Sequence, residues 1–301
     1  MTTTLQRHPS EPGTLPALLT APPTTADLAD LPGQWRRTVI ELGLARPRGL
    51  EDGPWLEGAV RGALGHALAG LPPPAPGLPT PLELLFQSQA MLTRRLPVPK
   101  PFVIELDRNG QQFTLRLVLF GTAGRWRELL LTGLLAMLET GLTLREAGGR
   151  RVPFEATSAA WWRSERIVVP DQPETAILRF TTPLRLRATG SLSTDPADLV
   201  FALVERACGL ARWQGLRVTP PWSQWRDLGK SLTADSSTMR PTSWQRRSSL
   251  QAKRFGMAGL LGDLVLHHPP QALMPVLALG ATAHVGAHTS LGLGRYTLIS
   301  G

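Results

Sequence analysis

The stretch His284-Val-Gly-Ala-His-Thr-Ser-Leu-Gly-Leu-Gly-Arg-Tyr296 decides how the rest of this 301-residue chain is read. Gly286, Gly292 and Gly294 tolerate positive φ and carry no Cβ, so the backbone N–H groups of such a loop can come close to a phosphate chain. Glycine makes up 29 of the 301 residues, so a G-x-G by itself says little. The flanks say more. Arg295, His284 and His288 supply cations and Thr289 and Ser290 hydroxyls; an apolar helical run precedes the loop, and Tyr296 to Ile299 reads as a closing strand.

The second half fits a βαββαβ unit around that loop. Ile177 to Ala188 reads as a strand, and Asp195 caps a helix with Pro196 at its first position. The apolar stripe of this helix is Leu199, Val200, Leu203, Val204, Ala207 and Leu210. Strands are expected at Arg254 to Ala258 and Leu261 to His267, meeting at Gly259, then a helix from about Pro270 to Leu279. Residues 215–247 are polar, rich in tryptophan and irregular, and read as an insertion.

The first half shows the same order. Trp35 to Leu44 reads as a strand centred on Val39 and Ile40, and Asp52 or Gly53 can cap a helix that has Pro54 at its start. Leu56, Val60, Leu64, Ala67 and Leu71 form its stripe, and Pro72-Pro-Pro74 ends it. Strands follow at Phe102 to Leu106 and Phe113 to Phe120 around Arg108-Asn-Gly110, then a helix over Trp126 to Leu138 and a fourth strand at Val152 to Ala156. The expectation is an α+β chain of tandem ferredoxin-like (RRM-like, βαββαβ) domains at 34–170 and 171–301, behind a loosely packed extension over 1–33.

Charge points to the partner. Thirty-two basic against 23 acidic residues leave +9, and only Lys100, Lys230 and Lys253 are lysines. Arginine's planar fork matches phosphate and stacks on bases, which suits RNA. Cys208 is the only cysteine, which excludes an intramolecular disulfide and a cysteine-based zinc site and fits a reducing cytoplasm. No apolar run reaches the roughly 20 residues needed to span a bilayer, so no membrane is expected.

Three further segments could carry chemistry. In Arg61-Gly-Ala-Leu-Gly-His-Ala-Leu68, Gly58, Gly62 and Gly65 fall opposite the apolar stripe, with His66 beside them. Three glycines cost a helix up to about 3 kcal/mol relative to alanine, so a close backbone approach, by a polymer or by the protein itself, is expected to repay them. Arg240, Arg246, Arg247, Lys253 and Arg254 form the densest basic segment, next to Trp244, and fit either an RNA groove or a solvated loop. In Pro183-Leu-Arg-Leu-Arg187 the alternation puts Arg185 and Arg187 on one face of a strand, turned to solvent or to RNA. His267, His268, His284 and His288 lack a partnering thiol, and Asp263 is the only acid after residue 235, so neither a metal site nor a cofactor is expected. RNA can supply its own nucleophile in the 2′-OH, leaving the protein to provide a base, an acid and cations.

With these segments assembled, the chain resembles the CRISPR-associated endoribonucleases of the RAMP superfamily that process CRISPR precursor RNA. The match rests on Arg61 to Leu68, on Thr182-Pro-Leu-Arg-Leu-Arg-Ala-Thr-Gly190 and on His284 to Tyr296, in that order, and covers roughly residues 35–301. The resemblance implies that the glycine loop serves RNA binding and that cleavage at the base of a repeat hairpin needs no metal, leaving a 2′,3′-cyclic phosphate and a 5′-hydroxyl. It implies a general acid or base on the first helix, where His66 stands, and a product held for other CRISPR effector subunits. Some relatives add a tyrosine and a lysine beside the histidine, yet the only tyrosine here is Tyr296 and the N-terminal half has only Lys100. A branch from type IV systems uses arginines instead, which makes Arg36, Arg37, Arg61, Arg246, Arg247 and Arg254 candidates. The leading alternative is a related subunit that holds guide RNA without cutting it. A nucleotide-binding enzyme is disfavoured because the loop has no Walker lysine and no strand-loop-helix context.

Overall fold

The computed structural model describes residue 19 and residues 23–47, 50, 53–87, 98–143, 151–188, 191–247 and 254–301. Four antiparallel strands, β1 (Arg37–Ala45), β2 (Phe102–Asn109), β3 (Gln112–Phe120) and β4 (Trp161–Glu165), form the first sheet in the order β2-β3-β1-β4. Helix α1 (Leu56–Ala67) links β1 to β2, and α2 (Arg127–Thr140) follows β3. That order and connectivity make one ferredoxin-like unit.

The second sheet repeats it. Strands β5 (Thr175–Leu184), β7 (Arg240–Arg247), β8 (Arg254–His267) and β9 (Tyr296–Ser300) lie in the order β7-β8-β5-β9, with α3 (Pro196–Ala211) after β5 and α5 (Met274–Ala283) after β8. Between α3 and β7 come α4 (Trp222–Ser231) and the short β6 (Thr233–Asp235), which pairs with the far end of β8. The Asp195 carboxylate accepts from the Ala197 N–H at 2.8 Å and caps α3 as its sequence dictates. The α1 stripe also holds, with Leu56, Val60, Leu64 and Leu68 buried.

Four expectations are corrected. The fourth strand of the first unit is β4 rather than residues 152–156; Pro153 interrupts that run, Arg151–Val152 pairs with Leu142–Thr143, and only Ala156 bridges to β1, at Leu44. Residues 254–267 are one long strand rather than two meeting at Gly259. A Cβ there would lie 2.6 Å from the Pro183 Cβ and 2.9 Å from the Leu184 oxygen, so Gly259 serves close strand approach. The hairpin partner of β8 is β7, which lies inside the stretch read as an insertion; as an edge strand it tolerates Pro241 and polar side chains. Helix α1 starts at Leu56 with Trp55 at the cap position, whereas Pro54 was expected at its first turn.

The extension is partly docked. Thr24–Thr25 pairs in parallel with Leu216–Arg217, the Leu19 oxygen accepts from Arg212 Nη2 at 2.6 Å, and Leu28, Leu31 and Pro32 are buried.

Candidate nucleic-acid interface

Helix α1 presents two different surfaces beside its buried stripe. Gly62 and His66, one turn apart, are exposed, and a Cβ on Gly62 would meet nothing within 4 Å. On the neighbouring face the Arg61 guanidinium lies 4.6 Å from the centre of the Phe86 ring, and Phe86 sits 3.3 Å from where a Gly65 Cβ would be. Lys100 donates from Nζ to the Phe86 oxygen at 3.0 Å. Burial, with a smaller contribution from the adjacent Arg61, lowers the Lys100 ammonium to about 8. Sequence reading passed over Lys100 as a site residue, although its place just before a buried strand was a usable signal.

The glycine loop is wedged between the two units. Gly286, Gly292 and Gly294 have φ of 84°, 81° and 71°. Each has a reason inside the protein: a Cβ would come within 2.6 Å of the Arg185 oxygen, 2.7 Å of the Glu57 Cβ and 1.8 Å of the Val285 oxygen, respectively. The Thr182 segment holds the loop in register. Thr182 Oγ1 donates to the Gly292 oxygen at 2.7 Å and accepts from the Arg295 N–H at 2.9 Å, while Pro183 and Arg185 oxygens accept from Gly294 and Ala287. Two of the segments singled out in the sequence are therefore one interlocked structure.

The loop docks on the open face of the first sheet. Strand alternation puts Glu41, Glu105, Asp107 and Arg116 on that face, and the β1–β3–β2 register sets Glu41, Arg116 and Glu105 side by side. Arg116 pairs with Glu41 and Asp107, and Arg295 reaches Glu105 at 3.3 Å and also pairs with Asp107. Burial alone would raise the Glu105 carboxyl, but His284, Arg295 and Arg116 together hold it below its usual value. His284 is fully buried at φ 60°, with Nε2 3.5 Å from Glu105 Oε1, and burial lowers the imidazole below its usual 6.5. His284 and Arg295 are thus committed to the inter-domain contact; Thr289 is buried, while His288 is exposed and Ser290 half-buried.

The β7–β8 hairpin reaches the same corner. Trp244 packs with Met257, Leu291 and Leu293, and these residues line a narrow crevice with Pro54, Trp55 and Gly58 at the start of α1. The other predicted positions scatter. Arg36 is exposed and exchanges hydrogen bonds with Gln214: its N–H donates to Oε1 at 3.1 Å, and its oxygen accepts from Nε2 at 2.9 Å. Arg185, expected on an exposed or RNA-facing strand surface, is 7% exposed and donates from Nη1 to the Ala258 oxygen at 3.0 Å. Arg187 lies in a two-residue strand, Arg240 is exposed near the start of the hairpin, and Arg246, Arg247 and Arg254 lie along β7 and β8. Lys253 lies outside the described residues. Among the described residues no group of three or more His, Cys, Asp or Glu is placed to hold a metal ion, and no helix is long and apolar enough to cross a membrane.

A family model described as the CRISPR-associated endoribonuclease Cas6 matches residues 178–296. Thermus thermophilus Cas6 superposes with a TM-score of 0.53 at 14% identity, covering 88% of this chain and 99% of that one. A Cas6 product complex gives 0.52 at 19% identity, over 88% and 100%. A chain of a partial Cas6-RT-Cas1–Cas2 complex gives 0.52 at 14% identity, over 89% of this chain and 46% of that one. At these identities the structures share the tandem fold with this chain. A search of curated protein sequences finds no match.

Proposed function

We propose that this Cas6-type chain binds the repeat RNA of a CRISPR transcript and cuts it, with the 2′-OH beside the scissile phosphate as nucleophile. The match of residues 178–296 to the Cas6 model, on a chain that spans the whole length of solved Cas6 proteins, carries the reading. In the reaction the 2′-oxygen bonds to phosphorus as its proton leaves to a base. The bond to the 5′-oxygen breaks as an acid protonates it, giving a 2′,3′-cyclic phosphate and a 5′-hydroxyl. No metal is needed where protein cations stabilise the phosphorane.

His66 is the candidate proton-transfer group, because it is exposed on α1 beside an open glycine and its neighbours leave room for a polymer. Arg61 and Lys100, two cations held together around Phe86, are candidates for neutralising phosphate charge, with Arg36 and Arg247 as candidates should arginines carry the chemistry. Arg240, Arg246 and Arg254 on the hairpin, with His288 and Ser290 of the loop, are proposed to hold the RNA. The product stays bound and passes to other CRISPR effector subunits.

Purified protein incubated with its own repeat RNA in EDTA tests this. A single cut ending in a cyclic phosphate is the expected result. Tight binding with no cut would instead make the chain a guide-RNA-holding subunit.

A further inference from the structure

Strand β4 ends the first sheet, and its outer edge has no strand partner among the described residues. It carries two consecutive tryptophans, Trp161 at 45% and Trp162 at 40% exposure, among the largest apolar surfaces the described residues leave open. Consecutive strand residues point to opposite faces, so the two rings flank the edge on both sides. Each ring has a guanidinium over it: Arg163 at 4.6 Å from the Trp161 centre and Arg127 at 4.2 Å from that of Trp162. Arg125, two residues before Arg127, and Arg166, the residue after β4, are exposed with no ion-pair partner among the described residues; the acids close by, Glu41, Glu128 and Glu165, are paired with Arg116, Arg127, Arg163 and Arg37.

We infer that this edge is a second RNA contact, a stacking surface for unpaired nucleotides that flank the cleaved hairpin. Exposed aromatics backed by arginine match that ligand: a base stacks on the free part of the ring while guanidinium groups meet the phosphates on either side. A peptide strand added to the edge would not call for a guanidinium over each indole. The location fits as well. The turn after α1 leans on α2 at Gly133, where a Cβ would strike Leu68 at 2.3 Å, and Arg127 begins α2 six residues earlier, about 9 Å along its axis. RNA leaving His66 across α2 therefore arrives at Trp162.

This inference rests on the proposed RNA cleavage function and is tested separately from it. Dissociation constants are measured for the repeat hairpin alone and for the same hairpin carrying an unpaired extension. Wild-type protein is expected to prefer the extended RNA by about tenfold or more, the scale of one or two stacked bases. In Trp161→Ala/Trp162→Ala that ratio should fall to near one. Arg125→Ser/Arg166→Ser, at exposed positions that leave the fold intact, should flatten the salt dependence for the extended RNA more than for the hairpin. A preference that survives in both variants, or none in wild type, overturns the inference. Failure to bind either RNA would instead overturn the proposed function.

Discussion

Glu105 on β2 and His284 at the end of α5 face each other across the domain boundary, with Nε2 3.5 Å from Oε1 and neither ring nitrogen hydrogen-bonded. Burial keeps His284 neutral further into acid than a free imidazole, whereas the unfolded chain takes up a proton near 6.5. Its contribution to stability is therefore present above that value and lost as pH falls below it. Glu105, held low, adds a loss that begins only below its usual 4.5. Thermal unfolding followed from about pH 7 to pH 5 should show a falling Tm, and His284→Asn should flatten the fall. Equal slopes in the two proteins would remove His284 as its cause.

His66→Ala should lower the cleavage rate by about 10²- to 10⁴-fold, the usual contribution of a positioned acid or base, with RNA affinity changed far less. Single-turnover kinetics with binding measured in parallel separate the two effects. Wild-type cutting by this variant would shift the chemistry to arginine, and Arg61→Ala and Arg36→Ala then become the informative substitutions.

The tandem βαββαβ plan was legible because its central strands and helix stripes are apolar at regular spacing, and because Asp195-Pro196 marks a helix start with a cap that forms as read. What escaped is explained by edges and interfaces. Strand β7, with Pro241 and four arginine or glutamine side chains, has no hydrophobic alternation to report, since an edge strand is stabilised by its ladder with β8. Strand β4 is likewise an edge, and its tryptophans carry no helix or strand period. The three loop glycines signalled close approach correctly, but their nearest neighbours are Arg185, Glu57 and Val285 rather than a phosphate. Local sequence cannot say whose atoms a missing Cβ makes room for. Glu105 and Asp107, alternating with Leu106 after the apolar run Phe102 to Ile104, were the available sign that this sheet face meets a cationic partner.

Glycines on α1 and in the loop should respond in opposite directions to alanine. At Gly62 a Cβ meets open space, so Gly62→Ala should stabilise the protein by about 0.5–1 kcal/mol through helix propensity alone. At Gly294 the Cβ would stand 1.8 Å from the Val285 oxygen at φ 71°, so Gly294→Ala should destabilise by at least about 1–3 kcal/mol. Chemical denaturation measures both. If Gly62→Ala gains stability but loses RNA affinity, the open face of α1 is where the RNA backbone passes; unchanged affinity places the RNA elsewhere.

Arginines of the hairpin should act through phosphate charge rather than sequence. Replacing Arg246 and Arg247 together by serine should weaken repeat-RNA binding and reduce the slope of log affinity against log salt by about 1.4, the release expected when two contacts to single-stranded phosphates are lost. The loss should be similar for repeat and unrelated RNA, because phosphate contacts fix position without reading bases. Trp244→Ala is the control within the same strand. Its ring packs on Met257, Leu291 and Leu293, so the variant should lower stability and leave the salt slope unchanged. A slope that stays constant in the arginine variant would make β7 a solvated edge and leave RNA retention to the loop and α1.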